Sequence, residues 1–387
     1  MKRLLLNILT FCVAFVALGE SQVYFVNIYP GNEIYELEGH SAIRITDSHS
    51  DIVVSWGEFD FNSPNFVYRF VKGETDYCCA AFIWKPFEEY YRLSGRRVVV
   101  HRIDMDSLQT ARLQQLIGEN LLPANRVYRY NYVKDNCATR PLRLIERALG
   151  DTIILPPTRF DSVASEVTFR NIMRYYHRNY PWYQFGIDLA LGSGVDYAIE
   201  PRLQAFAPVV LDSQLAGATV AGKPLVLDAQ VVVDYPADNA VQGPTPWYLT
   251  PLCVCWLIFA LTLWICIRDM RRGALCRVYH CIFYSISGLM GLLLTFLIFV
   301  SIHEATSPNY LYLWLNPLCL IVPLFIWLKK CKIYVFTYQI VNFALLIGMA
   351  LLWYWLPQSA NAAFLPLILA DMCLSITYLT LYKKKLI

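Results

Sequence analysis

Between residues 22 and 246 the side chains equipped for nucleophilic chemistry are few: Cys137 for attack, and His40, His49, His101 and His177 as bases. Cys137 lies in "YNYVKDNCATRPLRLIERALG", where a polar turn enters an amphipathic helix. A cysteine at a helix N-terminus faces unpaired backbone N–H groups and the positive end of the dipole, which lowers its thiol pKa below the free value of about 8.5. The same N–H groups are placed to stabilise the oxyanion of a tetrahedral intermediate. Pro141 lacks a backbone donor and is tolerated only in a first turn, so the regular helix starts near Ala138 or Thr139 and leaves Cys137 at its mouth. These residues alone leave three readings of Cys137: a nucleophile, half of a disulfide with Cys78 or Cys79, or a small buried side chain.

A base needs a third group to orient it. His40 opens a strand directly after Gly39, and "GHSAIRIT", "DSHSD" and "DIVVSWGEFDF" read as strand, turn and strand with period-two alternation. A hairpin turning around His49 places Glu58 or Asp60 opposite His40 on the same side of the sheet. Either carboxylate would hold the imidazole in one tautomer and favour its cationic form. Asn136 either fixes the nucleophile's loop or orients the base. Arg140 either grips a phosphate through two parallel hydrogen bonds or forms an ion pair at the cap. No paired His or Cys spacing of the metal-binding kind occurs, so no metal is expected.

The elements that must hold these residues are mixed. "QVYFVNIY", "YCCAAFIW" and "RRVVVHRID" read as further strands, and "DSLQTARLQQLIGENLL" as an amphipathic helix capped by Asp106 or Ser107 and ended by Pro123. The region is α+β, with a largely antiparallel sheet. From Arg159 to about Gly192 the chain is rich in aromatics, which suits either a helix packed on the sheet or an interfacial surface.

Hydrophobic residues make up 56% of the chain and charged ones 16%, a balance foreign to a soluble globule, so part of the chain lies in lipid. Five apolar runs of about 19 to 24 residues, Tyr248–Ile267, Tyr279–Ile302, Tyr310–Leu328, Ile333–Leu356 and Ala362–Tyr382, are each long enough to cross a bilayer. Basic residues follow the first (Arg268, Arg271, Arg272, Arg277), third (Lys329, Lys330, Lys332) and fifth (Lys383, Lys384, Lys385), while the other two loops contain none. The positive-inside rule makes the basic loops cytoplasmic and exports everything before the first run. "MKRLLLNILTFCVAFVALGES" reads as a secretory signal. The expected order is a signal over 1–21, an exported domain over 22–246 and an all-α five-helix transmembrane domain over 247–387. Within the bundle Asp371 sits near mid-membrane with Asn342 at similar depth, a pairing read as structural. The net charge of +3 belongs mostly to the cytoplasmic loops, and nothing in the chain suggests nucleic acid as a partner.

Histidine on a strand, then a carboxylate, then Asn-Cys at a helix start resembles the circularly permuted papain-like folds. More closely, "GHSAIRI", "SWGEFDFNSPNF", "VKGETDY" and "DNCATR" are similar to the signature segments of the Lnb-type lipoprotein N-acyltransferases of bacteria, which join such an exported domain to a membrane bundle. The motifs lie in residues 39 to 140 and are specific in combination, while the architecture matches over the whole chain. The resemblance implies His40 as base and Cys137 as nucleophile, with Asp60 of Phe-Asp-Phe preferred over Glu58, where the family more usually has Thr. It implies transfer of an acyl chain from a membrane phospholipid, through a Cys137 thioester, to the α-amine of a lipoprotein's diacylglyceryl-cysteine. It requires no cofactor, and the implied setting is the inner membrane with the domain facing the periplasm. The same residue pair also suits a membrane-anchored cysteine peptidase or amidase, and a noncatalytic lipid-binding protein would leave Cys137 merely buried.

Overall fold

The computed structural model describes residues 21–163 and 166–387, so the signal reading of residues 1–21 lies outside the described residues save for Ser21. By compactness the chain divides into two units: one runs to Tyr176 and resumes over Ala198–Gln242, the other comprises His177–Tyr197 and Gly243–Ile387.

The first unit is built on a seven-stranded sheet, antiparallel throughout. Its strands are β1 (Gln22–Ile28), β2 (His40–Thr46), β3 (Asp51–Glu58), β4 (Asp76–Ile83), β5 (Val98–Ile103), β6 (Val127–Arg129) and a last strand, Val226–Val233. Across the sheet the order is Val226–Val233, β5, β1, β2, β3, β4, β6, so the strand that opens with His40 is central. Period-two alternation sends Phe25, Ile43, Val54 and Trp56 to one face, where Leu113 and Ile117 of the helix Ser107–Leu121 and Leu142 and Ile145 of the helix Thr139–Leu149 cover them. Val26, Ala42 and Val53 go to the other face, under Trp84 and Tyr91 of the helix Trp84–Leu93. The Ser107–Leu121 helix begins as expected: Asp106 and Gln109 exchange side-chain and backbone hydrogen bonds in a capping box.

The β2–β3 hairpin turns between Asp47 and Ser50, where the Asp47 carboxylate accepts the N–H groups of His49 and Ser50. This turn sets a register running from Thr46 opposite Asp51 to Ala42 opposite Ser55. Continued two more pairs, it brings Gly57 opposite His40, one residue short of the expected partner Glu58. The pairing of β3 with β4 then shifts between Trp56 and Glu58, where Gly57 sits at φ +98°. Such a bulge inserts one unpaired residue and reverses the side to which the next side chain points. Glu58 therefore turns to the face of Ser55 and His40, not that of Trp56.

The second unit is all-α, as expected. Four of its helices, Pro251–Arg272, Arg277–Phe299, Lys332–Leu352 and Phe364–Lys383, are the cores of four segments long and apolar enough to cross a membrane among the described residues. The third apolar run, expected as a continuous span over Tyr310–Leu328, is instead wound as short turns at Tyr310–Leu313 and Pro317–Leu320 and a short helix Ile321–Phe325. Proline explains the break: Asn316 before Pro317 is held extended, and its side chain caps Leu318 N–H in place of a helical carbonyl. This irregular backbone lies hard against the Arg277–Phe299 helix, where a Cβ on Gly291 would come 2.3 Å from the Asn316 carbonyl carbon. The aromatic stretch also divides, with Phe169–Tyr176 in the first unit and the helix Pro181–Ala190 in the second.

Asp371 lies among fully buried groups and accepts the Tyr284 hydroxyl at 2.7 Å and the Asn342 amide at 2.8 Å. Ser375 donates to Gln339 at 2.6 Å beside them, which joins three helices through polar contacts in an apolar bundle. Asp371→Leu removes the shortest acceptor of both donors, leaving Tyr284 the longer contact to Gln339 at 3.1 Å and Asn342 that to Ser375 at 3.2 Å, at about 0.5–1.5 kcal/mol for each hydrogen bond lost. It should lower the thermal midpoint of the detergent-solubilised protein clearly, while Asp371→Asn, which keeps an acceptor, should lower it far less; equal losses from both would show that the carboxylate charge and not the hydrogen bonding matters.

Candidate active site

Cys137 stands just before the helix Thr139–Leu149, whose N-cap is Ala138, so Pro141 falls in the first turn as its chemistry demands. Asn136 builds the turn that holds it. Its carbonyl oxygen accepts the N–H groups of Ala138 and Thr139, each at 3.0 Å, and its amide donates to the carbonyls of Tyr132 at 2.7 Å and Phe206 at 2.8 Å. Asn136 is itself buried. These bonds tie down the loop that carries Cys137.

That network changes the expected electrostatics. The N–H groups of Ala138 and Thr139, read from the sequence as oxyanion donors, are taken up by Asn136. The sulfur is instead faced by the N–H of Ser41, the residue after His40, by the N–H of Cys137 itself, and by the Tyr130 hydroxyl at 4.0 Å. These donors favour the thiolate, but burial opposes it more strongly, and the Glu38 carboxylate adds to the opposition. The thiol is pushed up to about 11. The lowered pKa expected of a helix mouth is thus overturned by desolvation. Cys78, Cys79 and Cys137 are all free thiols, so Cys137 is not half of a disulfide.

His40 contacts Ser55, its Nε2 lying 2.8 Å from Oγ, and Ser55 in turn donates its single hydroxyl proton to Glu58 Oε1 at 2.8 Å. Because that proton is committed to Glu58, Ser55 Oγ accepts from His40, which places the imidazole proton on Nε2 and leaves Nδ1 as the basic nitrogen. Burial, and then the Arg96 guanidinium, push the His40 pKa down to about 3. Arg96 is itself anchored by Glu36 at 2.5 Å and the Tyr29 carbonyl at 2.8 Å. The resting pair is therefore a neutral thiol and a neutral imidazole.

The carboxylate brought to His40 is that of Glu58, through Ser55. Asp60, preferred from the sequence, is exposed in the following turn and accepts the Asn62 N–H. Arg140 is bound in two parallel bonds by Asp135 and lies 3.6 Å from the ring centroid of Tyr128, so the ion-pair reading holds for it. The other histidines are engaged elsewhere: His49 with Ser48, His101 with Asp212, and His177 with Gln184 in the second unit. Among the described residues no cluster of potential ligands for a metal occurs.

Two participants escaped sequence reading. Ser55 had a signal, a lone hydroxyl within the apolar run "DIVVSWGE". Tyr130 had none, because its approach to the sulfur is set by tertiary packing, where its ring stacks on Tyr77.

Fold and site together define a membrane protein carrying an α+β domain with a buried cysteine set beside a strand-borne histidine relay. The family model described as Lnb N-terminal periplasmic domain matches residues 14–173, and that described as Lnb transmembrane domain matches residues 244–385. The chain belongs to the Lnb family, with a periplasmic domain of Lnb type anchored by its transmembrane domain. No curated protein and no solved structure matches it.

With the thiol at about 11, the thiolate fraction rises about tenfold per pH unit through the neutral range. Alkylation of Cys137 by iodoacetamide, followed by peptide mass spectrometry, should climb with that slope from pH 7 to 10. A plateau above about pH 8.5 would instead mark an ordinary or activated thiol.

Proposed function

We propose that this protein is a lipoprotein N-acyltransferase of the bacterial inner membrane, with its catalytic domain facing the periplasm. The observation that carries the reading is the His40–Ser55–Glu58 relay, with the N–H of Ser41, the residue after His40, set against the Cys137 sulfur, within a chain of the Lnb family. The placement of basic residues at Arg268–Arg277, Lys329–Lys332 and Lys383–Lys385 supports the orientation.

The chemistry follows from the resting state. A neutral Cys137 thiol is a weak nucleophile, so His40 Nδ1 removes its proton as the sulfur attacks an ester carbonyl of a phospholipid. The tetrahedral intermediate collapses with cleavage of the ester C–O bond, and His40 returns the proton to the departing lysophospholipid oxygen. Cys137 then carries the acyl group as a thioester. The free α-amine of a lipoprotein's diacylglyceryl-cysteine attacks that thioester, His40 accepts the amine proton, the C–S bond breaks and the thiol is restored. The imidazolium formed in each half-reaction is stabilised through Ser55 by Glu58. Both substrates are lipid-anchored, so tethering the domain to the bilayer raises their effective concentration.

Two expectations test this. In a strain that relies on this protein for N-acylation, Cys137→Ala and His40→Ala should leave lipoprotein N-termini diacylated with free amines, as read by mass spectrometry, while the variants still accumulate in the membrane. Persistent N-acylation in Cys137→Ala would falsify the mechanism. Ser55→Ala and Glu58→Gln should slow thioester formation on Cys137 by about 10- to 100-fold, corresponding to about 1.4–2.7 kcal/mol of barrier. Asp60→Asn should stay within about twofold of the parent; a larger loss there than at Glu58 would reverse the assignment.

A further inference from the structure

The short helix Phe66–Lys72, between β3 and β4, buries none of its residues, although its sequence is FVYRFVK. Val67 is 73% exposed, Tyr68 53% and Phe70 49%, and the neighbouring Phe61 and Tyr35 are 56% and 53% exposed. An exposed apolar surface of this density on one side of a domain is costly in water and marks a contact surface.

Its placement relative to the thiol is the second observation. Tyr130, whose hydroxyl meets the Cys137 sulfur, stacks on Tyr77 with ring centroids 4.3 Å apart. Tyr77 packs on Phe59 at 5.2 Å, Phe59 on Phe61 at 4.6 Å, and Phe61 on Phe66 at 5.1 Å. An unbroken line of aromatic rings therefore runs from the buried sulfur to the exposed helix.

We propose that the Phe66–Lys72 helix with Phe61 and Tyr35 is a lipid-contacting surface that dips into the outer face of the bilayer and passes an acyl chain along these rings to Cys137. The occupant is membrane lipid, for reasons of composition. The apolar side chains are aromatic and β-branched, and both cations of the helix are neutralised by carboxylates, Arg69 by Asp76 at 2.5 Å and Lys72 by Glu74 at 2.8 Å. Exposed apolar bodies beside paired cations suit the water–hydrocarbon boundary. Seven residues of helix offer too little area for a stable protein partner. A bilayer, by contrast, is held near the domain by its own transmembrane unit. The inference rests on the acyltransferase reading only for the fate of the chain, since lipid contact itself does not require it.

The test uses the full chain in vesicles containing a phospholipid with a diazirine on its acyl chain. Irradiation and peptide mapping should find adducts within residues 59–72 as well as in the spans. Phe61→Glu and Val67→Glu, with unchanged thermal midpoints, should cut those adducts about tenfold and slow thioester formation from vesicle phospholipid by a similar factor. Adducts confined to the spans would overturn the proposal, as would a particle of twice the mass in detergent that the same variants return to one copy, which would give the patch to a second chain. The two readings fail separately. Adducts at the patch with no thioester on Cys137 sink the acyltransferase reading and leave the surface, whereas a thioester that forms at the parent rate in both variants sinks the surface alone.

Discussion

Between Trp56 and Glu58 the third strand carries one residue more than its neighbour, and Gly57 absorbs the difference at φ +98°. Two features of the site depend on that irregularity. Trp56 stays in the core beneath the nucleophile's helix, while Glu58 is turned to the opposite face, within reach of Ser55 and so of His40. A Cβ at Gly57 would make only ordinary contacts with the Tyr130 ring and the Cys137 Cβ, so it is the positive φ that calls for glycine here.

Around this bulge the site is assembled from neutral parts. Burial disfavours both charged forms, the thiolate of Cys137 and the imidazolium of His40, and the pKa values of the pair lie far apart in the sense that keeps both uncharged. The ionic pair seen in activated cysteines is therefore not the ground state. In the reaction proposed here charge has to be created, where the Ser41 N–H and Tyr130 hydroxyl meet the sulfur and the Ser55–Glu58 relay meets the ring. Groups that stabilise charge only when it appears contribute to the barrier without binding the resting state more tightly. A protonated, buried thiol is also guarded against oxidation, which acts on exposed thiolates.

The membrane unit uses a related economy. The irregular stretch Tyr310–Phe325 is packed onto the Arg277–Phe299 helix through Gly291, and asparagines cap the turns that proline interrupts. Non-helical backbone is tolerable at membrane depth only where protein covers it. In the cluster around Asp371 the Tyr284 hydroxyl and the Asn342 amide likewise find acceptors inside the bundle.

Much of this was legible in the sequence because it rests on local chemistry. Period-two alternation marks the strands, Asp106 and Gln109 mark a helix start, Pro141 places the helix mouth beyond Cys137, and long apolar runs with one-sided basic loops mark the membrane unit. The motifs around His40 and Cys137 pointed to the family that the domain matches bear out. What the sequence could not determine was which carboxylate serves His40, because a turn shorter by one residue and a bulge each reverse the facing of a side chain, and both depend on pairing between strands. Nor could it determine the ionisation of Cys137, since a helix mouth favours the thiolate locally while burial, which only the packed chain creates, outweighs it. Sequence alone determined the candidate residues and most of the elements that carry them; tertiary structure decided which neighbours they meet and in what charge state, because contact and desolvation exist only once distant segments are brought together.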